Sequence, residues 1–100
     1  MANQMPEQIS WLQPALNQLA TFEPESLNDD NSEAMDVVVA ALRQRLRGLS
    51  VPDAKKAMQK DLEILAEWLA APELAESPGH YVYGALFGIA IYGDMREFLS

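Results

Sequence analysis

Apolar residues return along this chain at helical intervals. Ile9, Leu12, Leu16, Leu19 and Phe22 recur at steps of three and four, which places them on one face of a helix between Pro6 and Phe22. Pro14 falls inside that pattern. It removes a backbone donor and crowds the preceding turn, so a kink or two short helices is expected there. Trp11 lies off the stripe and is expected to be partly exposed. Residues 1–5 carry no such pattern and are expected to be disordered, and residues 23–31 read as an acidic loop. Pro24 stops the first helical segment, and Asp30, Asn31 and Ser32 are suitable N-caps for the next helix.

A second helix is expected over about Ser32 to Arg47, with Met35, Val38, Leu42, Leu46 and Leu49 as its buried stripe. Glu33 and Asp36 fall near its positive end and Arg43, Arg45 and Arg47 near its negative end, both favourable to the helix dipole. Gly48 is placed to stop it. Ser50-Val51-Pro52-Asp53 is a capping signature, with Ser as N-cap, proline in the first turn and an acid at the third helical position. The third helix then runs to about Ala70 on a stripe of Val51, Ala54, Met58, Leu62, Leu65 and Leu69, and Pro72 ends it.

Residues 72–77 form a short acidic connection, and Ser77-Pro78 opens the last segment. From Tyr81 to Tyr92 every residue is apolar or glycine. Tyr81, Val82, Tyr83, Ile89 and Ile91 would suit a strand, and Gly84 and Gly88 together cost a helix roughly 2 kcal/mol relative to alanine. Helix is the preferred reading, and a helix that is apolar all round is buried on most sides. The fold expected is all-α: a small antiparallel bundle of about four helices, the first kinked at Pro14 and the last central, forming one domain over 1–100.

Composition agrees with the pattern. The chain has 13 Leu and 14 Ala but a single Thr, a balance that favours helix over sheet. It has no cysteine, which excludes disulfides and thiolate chemistry. No Lys or Arg precedes Arg43 and no early apolar run occurs, unlike a secretory signal. The longest apolar stretch, Tyr81 to Gly93, is short of the ~20 residues that span a bilayer. These features point to a soluble, cytoplasmic protein with no membrane span.

Charge changes the picture more. The net charge of −8 is divided into −7 over residues 1–42, +5 over 43–60 and −6 over 61–100. The basic island consists of Arg43, Arg45, Arg47, Lys55, Lys56 and Lys60 against Asp53 alone. It invites a helix-turn-helix reading in which the second and third helices flank Gly48, and Lys55, Lys56 and Lys60 face nucleic acid. Gln44 stands where such motifs want a small residue, and an acidic body repels a polyanion, so nucleic acid is disfavoured as a partner. The acidic flanks as a nucleic-acid mimic carry less weight, since solubility accounts for them equally well.

Catalytic signals are missing. His80 is the one histidine; without cysteine a His/Cys zinc site is impossible, and a His–carboxylate site would need carboxylates that the sequence does not place beside it. Ser26, Ser32, Ser50 and Ser77 fall at loops and caps, and no nucleophile elbow, P-loop or dinucleotide fingerprint is present. Asp29 and Asp30 lie in a hydrophilic loop where nothing would shift their pKa. Asn28, Asp30, Ser32 and Asp36 resemble calcium ligands in spacing, but Glu33 and Val39 stand where an EF-hand needs Gly and Glu. No metal, cofactor or catalytic residue is therefore expected.

What is left is binding. Arg43, Arg47, Lys55, Lys56 and Lys60 are the candidate partner-binding residues. Tyr81, Gly84, Phe87, Gly88 and Tyr92 are the candidate packing or dimer interface, because Gly84 and Gly88 share a helical face that another backbone could approach closely. The core reading of that face is favoured, and an edge position for the helix would make the protein a homodimer. The functional expectation is a non-enzymatic protein–protein interaction module, an adaptor, regulator, inhibitor or assembly factor. It would present the basic patch or an apolar aromatic groove to a protein partner. A helix-turn-helix nucleic-acid binder is the alternative.

Overall fold

The computed structural model describes residues 5–27, 32–75 and 77–99. Residues 1–4, Asp30 and Asn31 as caps, the pair Asp29 and Asp30, and Asn28 and Asp30 as calcium ligands lie outside them. The chain begins in a 3-10 helix, Glu7–Leu12, that passes directly into α1, Gln13–Leu19. Pro14 sits in the first turn of α1, where its missing N–H is no loss. The break between the two segments lies upstream of it, and Ile9 takes the non-helical angles φ −109°, ψ 17°. A proline excludes regular α winding in the turn before it, so the preceding residues tighten into 3-10 geometry. Ile9, Leu12, Leu16 and Leu19 are buried, as their spacing requires, and Met5 and Phe22 pack partly buried against the same core.

Pro24–Leu27 is a 3-10 turn within the acidic loop. The second helix, α2, runs Ser32–Leu46 and buries Ala34, Val38, Leu42 and Leu46. This i, i+4 row corrects the expected stripe at its start: Met35 is 36% exposed and Ala34 takes the core position. The reason is geometric, since Met35 lies one residue, about 100°, off the row. Gly48 ends α2 with φ +83°, the left-handed angle that favours glycine, and the Leu49 N–H donates back to the Leu46 carbonyl at 3.0 Å.

The third helix, α3, spans Val51–Leu69 and is capped as expected, Ser50 Oγ accepting from the Asp53 N–H at 3.3 Å. Ala54, Met58, Leu62, Leu65 and Leu69 are buried, and so is Asp61. A 3-10 turn, Pro72–Leu74, leads towards α4, Gly79–Tyr92, which settles residues 81–92 as helix. Ser77 Oγ accepts from the Gly79 N–H at 3.1 Å. A final 3-10 turn, Met95–Phe98, inserts Met95 into the core. The whole is a small all-α bundle of four helices packed against each other, and the described residues contain no strand.

One expectation is overturned here. The last helix is not central. α4 fully buries only Gly79, Val82 and Leu86, whereas α3 touches α4, the first 3-10 helix and the last one. An element surrounded on all sides needs neighbours on all sides, and a bundle this small supplies α4 with α3 along one flank and α2 more sparsely. Phe87, Ile91 and Tyr92 therefore remain exposed at 44%, 57% and 86%.

Glycine substitutions test this placement. A Cβ at Gly84 or Gly88 meets nothing within 4 Å, while one at Gly79 would lie 2.7 Å from Leu69 Cδ2. Gly84→Ala and Gly88→Ala should each raise unfolding stability by about 1 kcal/mol in dilute solution. Gly79→Ala should forfeit that gain by displacing a buried leucine. Urea melts of the three variants check this, and a loss of stability at Gly84 or Gly88 would place α4 inside the core after all.

Candidate functional site

The most unusual side chain in the bundle is one that periodicity passes over. Asp61 stands three residues after Met58 and one before Leu62, on the buried face of α3, and is only 2% exposed. Its Oδ2 accepts from Trp11 Nε1 at 3.0 Å and from Arg45 Nε at 2.9 Å. The carboxylate therefore ties the first 3-10 helix, α2 and α3 at one point. Oδ1 is buried and meets no donor among the described residues. Trp11 is off the apolar stripe because its indole N–H faces this acceptor, and Arg45 is drawn inward out of the basic island. Sequence carried a signal for both: an acid on an otherwise apolar helical row needs a buried donor.

The remaining cations are distributed differently. Arg43 is exposed on α2, Arg47 in the turn that follows it, and Lys55, Lys56 and Lys60 on α3. Lys55 and Lys60 are five residues apart, so they project about 140° apart around α3. Lys55 lines a groove against α4, and Lys60 lies outside that groove. The three lysines span an arc of about 140° around α3, with Lys56 inside it, so they do not share one direction.

Open grooves flank the bundle on two sides among the described residues. One, of about 700 Å³, lies between α1 and α2, with Trp11, Pro14, Phe22, Val37 and Ala41 as apolar lining and Glu33 and Asp36 among its polar residues. The other, of about 830 Å³, lies between α3 and α4. Its floor is Leu62, Ala66, Tyr83, Phe87, Ala90 and Ile91, and Lys55, Gln59 and Glu63 form its α3 edge. Tyr83 and Phe87 stack with ring centroids 6.0 Å apart and planes at 26°. Of the expected interface residues, Phe87 is in this groove, Gly84 and Tyr92 are exposed beside it, and Tyr81 and Gly88 are partly buried.

Other chemistry on the surface is sparse. His80 Nε2 lies 2.9 Å from the Leu74 carbonyl, and since a carbonyl only accepts, that nitrogen carries the proton. Ser50 caps α3, and Ser77 Oγ is occupied by the Gly79 N–H at the start of α4. Among the described residues no three His, Asp or Glu side chains converge as metal ligands, and no helix is long and apolar enough to cross a membrane. Past the end of α4, Asp94 accepts from the backbone N–H, Nε and Nη2 of Arg96, the last at 2.8 Å. Fold and surface together define a small helical bundle in which Phe87, Ile91 and Tyr92 of α4 stay exposed. Compared with protein-family models, with curated proteins and with solved structures, the chain matches none of them.

Two measurements probe these contacts. Asp61→Ala should destabilise the fold by about 2–4 kcal/mol, below the full cost of breaking a buried pair because Arg45 is itself 28% exposed. Trp11→Phe should cost about 1 kcal/mol. A neutral result for Asp61→Ala in chemical denaturation would remove the tether. At Asp94 the side-chain hydrogen bond from Arg96, then the backbone one, holds the carboxyl below its ordinary 3.8. A lowered value means that its contribution is present above the unfolded pKa and is lost as pH falls through the folded one. Carboxyl-carbon NMR titration should find the Asp94 midpoint below 3.8, and Arg96→Gln should return it towards that value.

Proposed function

We propose that this chain is a non-enzymatic protein–protein interaction module that binds through the apolar face of α4 and its groove with α3. The observation that carries this reading is the exposure of Phe87, Ile91 and Tyr92 on a 14-residue helix that contains no Asp, Glu, Lys or Arg. Among the described residues, three of the four exposed large hydrophobic side chains lie on this one helix, and a concentrated apolar patch marks a docking site. The two glycines add a second argument. Gly84 and Gly88 weaken α4, yet a Cβ at either would meet no atom of the described residues within 4 Å. Their small size serves a close approach from outside the chain, with aromatic side chains beside it as anchors.

The basic residues support a partner surface less well, because Arg45 is engaged by Asp61 and the three lysines diverge around α3. The helix-turn-helix reading has the glycine turn at Gly48 in its favour and the same divergence against it.

The test places a photo-crosslinking residue at Phe87 in one variant and at Arg43 or Lys56 in others, each irradiated in native lysate. Adducts are expected at position 87 and not at 43 or 56. The reverse pattern would move the function to the basic patch, and a low-salt gel shift with nucleic acid would then separate its two readings.

A further inference from the structure

Every apolar docking face leaves open what covers it, and here the charges at its edge discriminate. Lys55, Gln59 and Glu63 line the α3 side of the groove at intervals of four residues, so they form one row along the helix. The row is positive at one end, neutral in the middle and negative at the other. A half-turn about an axis through Gln59 exchanges its ends, so the row is complementary to itself in the antiparallel sense. An isologous interface requires this relation, in which residue i meets j and j meets i, whereas an unrelated partner imposes no such antisymmetry. Neither Lys55 nor Glu63 forms an ion pair with any described residue, although Lys55 does act at longer range on Asp94.

The overall charge argues in the same direction. Two copies of a chain with net charge −8 repel at long range, so they can associate closely only where acids are absent or balanced. The α4 face satisfies this condition, being free of acids itself and bounded by an edge whose two charges cancel. Its 14 residues extend about 21 Å.

Resting on the interaction reading above, we propose that the occupant of the α3–α4 face is a second copy of this chain. The copies are related by a two-fold axis near Gln59, with Phe87 and Ile91 packed between them and Lys55 of each chain against Glu63 of the other.

Analytical ultracentrifugation of the full chain should give twice the 11.1 kDa mass, and Ile91→Asp should return it to monomer with its helical circular dichroism intact. A charge exchange tests the axis itself. Lys55→Glu alone sets acid against acid twice, Glu63→Lys alone sets base against base twice, and each should weaken association roughly tenfold or more. Mixing the two variants restores both opposite-charge contacts, so native mass spectrometry should show the heterodimer in excess over either homodimer. A wild-type chain that stays monomeric at about 1 mM overturns the proposal. So does a dimer whose charge-exchanged variants fail to prefer each other. If the chain is monomeric but position 87 still crosslinks to another protein, the second copy is wrong and the interaction reading survives. If the chain is monomeric and position 87 yields no adduct, both fail.

Discussion

The architecture turns on one carboxylate. Asp61, nearly excluded from solvent, accepts from an indole on the first 3-10 helix and a guanidinium on α2. Apolar side chains can slide past one another at small energetic cost, because dispersion and burial are weakly directional. A buried acid cannot, since leaving it without donors costs several kcal/mol. The pair of contacts therefore fixes the register of α2 against α3 and adds a directional tie to the apolar packing of the N-terminal segment.

That arrangement has a consequence on the opposite side of α3. The helix α3 carries the first 3-10 helix as well as α4, and α4 reaches α2 only sparsely, so α4 has neighbours on one side only. A single layer of helix cannot bury both its own faces, so Val82 and Leu86 go inward while Phe87, Ile91 and Tyr92 remain outside. The apolar face and the polar tether are thus linked parts of one packing solution. The binding reading draws on the fact that this face combines exposed aromatics, open glycines and freedom from charge.

Much of the bundle was readable in the residues. The α3 stripe, the Ser50 cap, the Gly48 stop and the inward set Ile9, Leu12, Leu16 and Leu19 all appear where spacing placed them. These features are local: a cap, a left-handed glycine and a 3.6-residue period depend on neighbours within a turn or two. Met35 shows the limit, because an apolar residue at the margin of a stripe is assigned to one side or the other by its neighbour across the interface, not by its own helix. The helical state of residues 81–92 was the preferred reading of an ambiguous apolar run, but its edge position was not.

The sequence alone determined the class of fold, the approximate helices, the charge segregation and the two groups of surface residues worth testing. Tertiary structure decided the rest: that Arg45 belongs to the core tether, that Lys55 and Lys60 diverge, and that the glycine-bearing helix lies at an edge. The physical reason is the range of the interactions. Periodicity records which side of a helix is apolar, but whether that side is covered depends on how many other helices can reach it, a property of the assembled bundle.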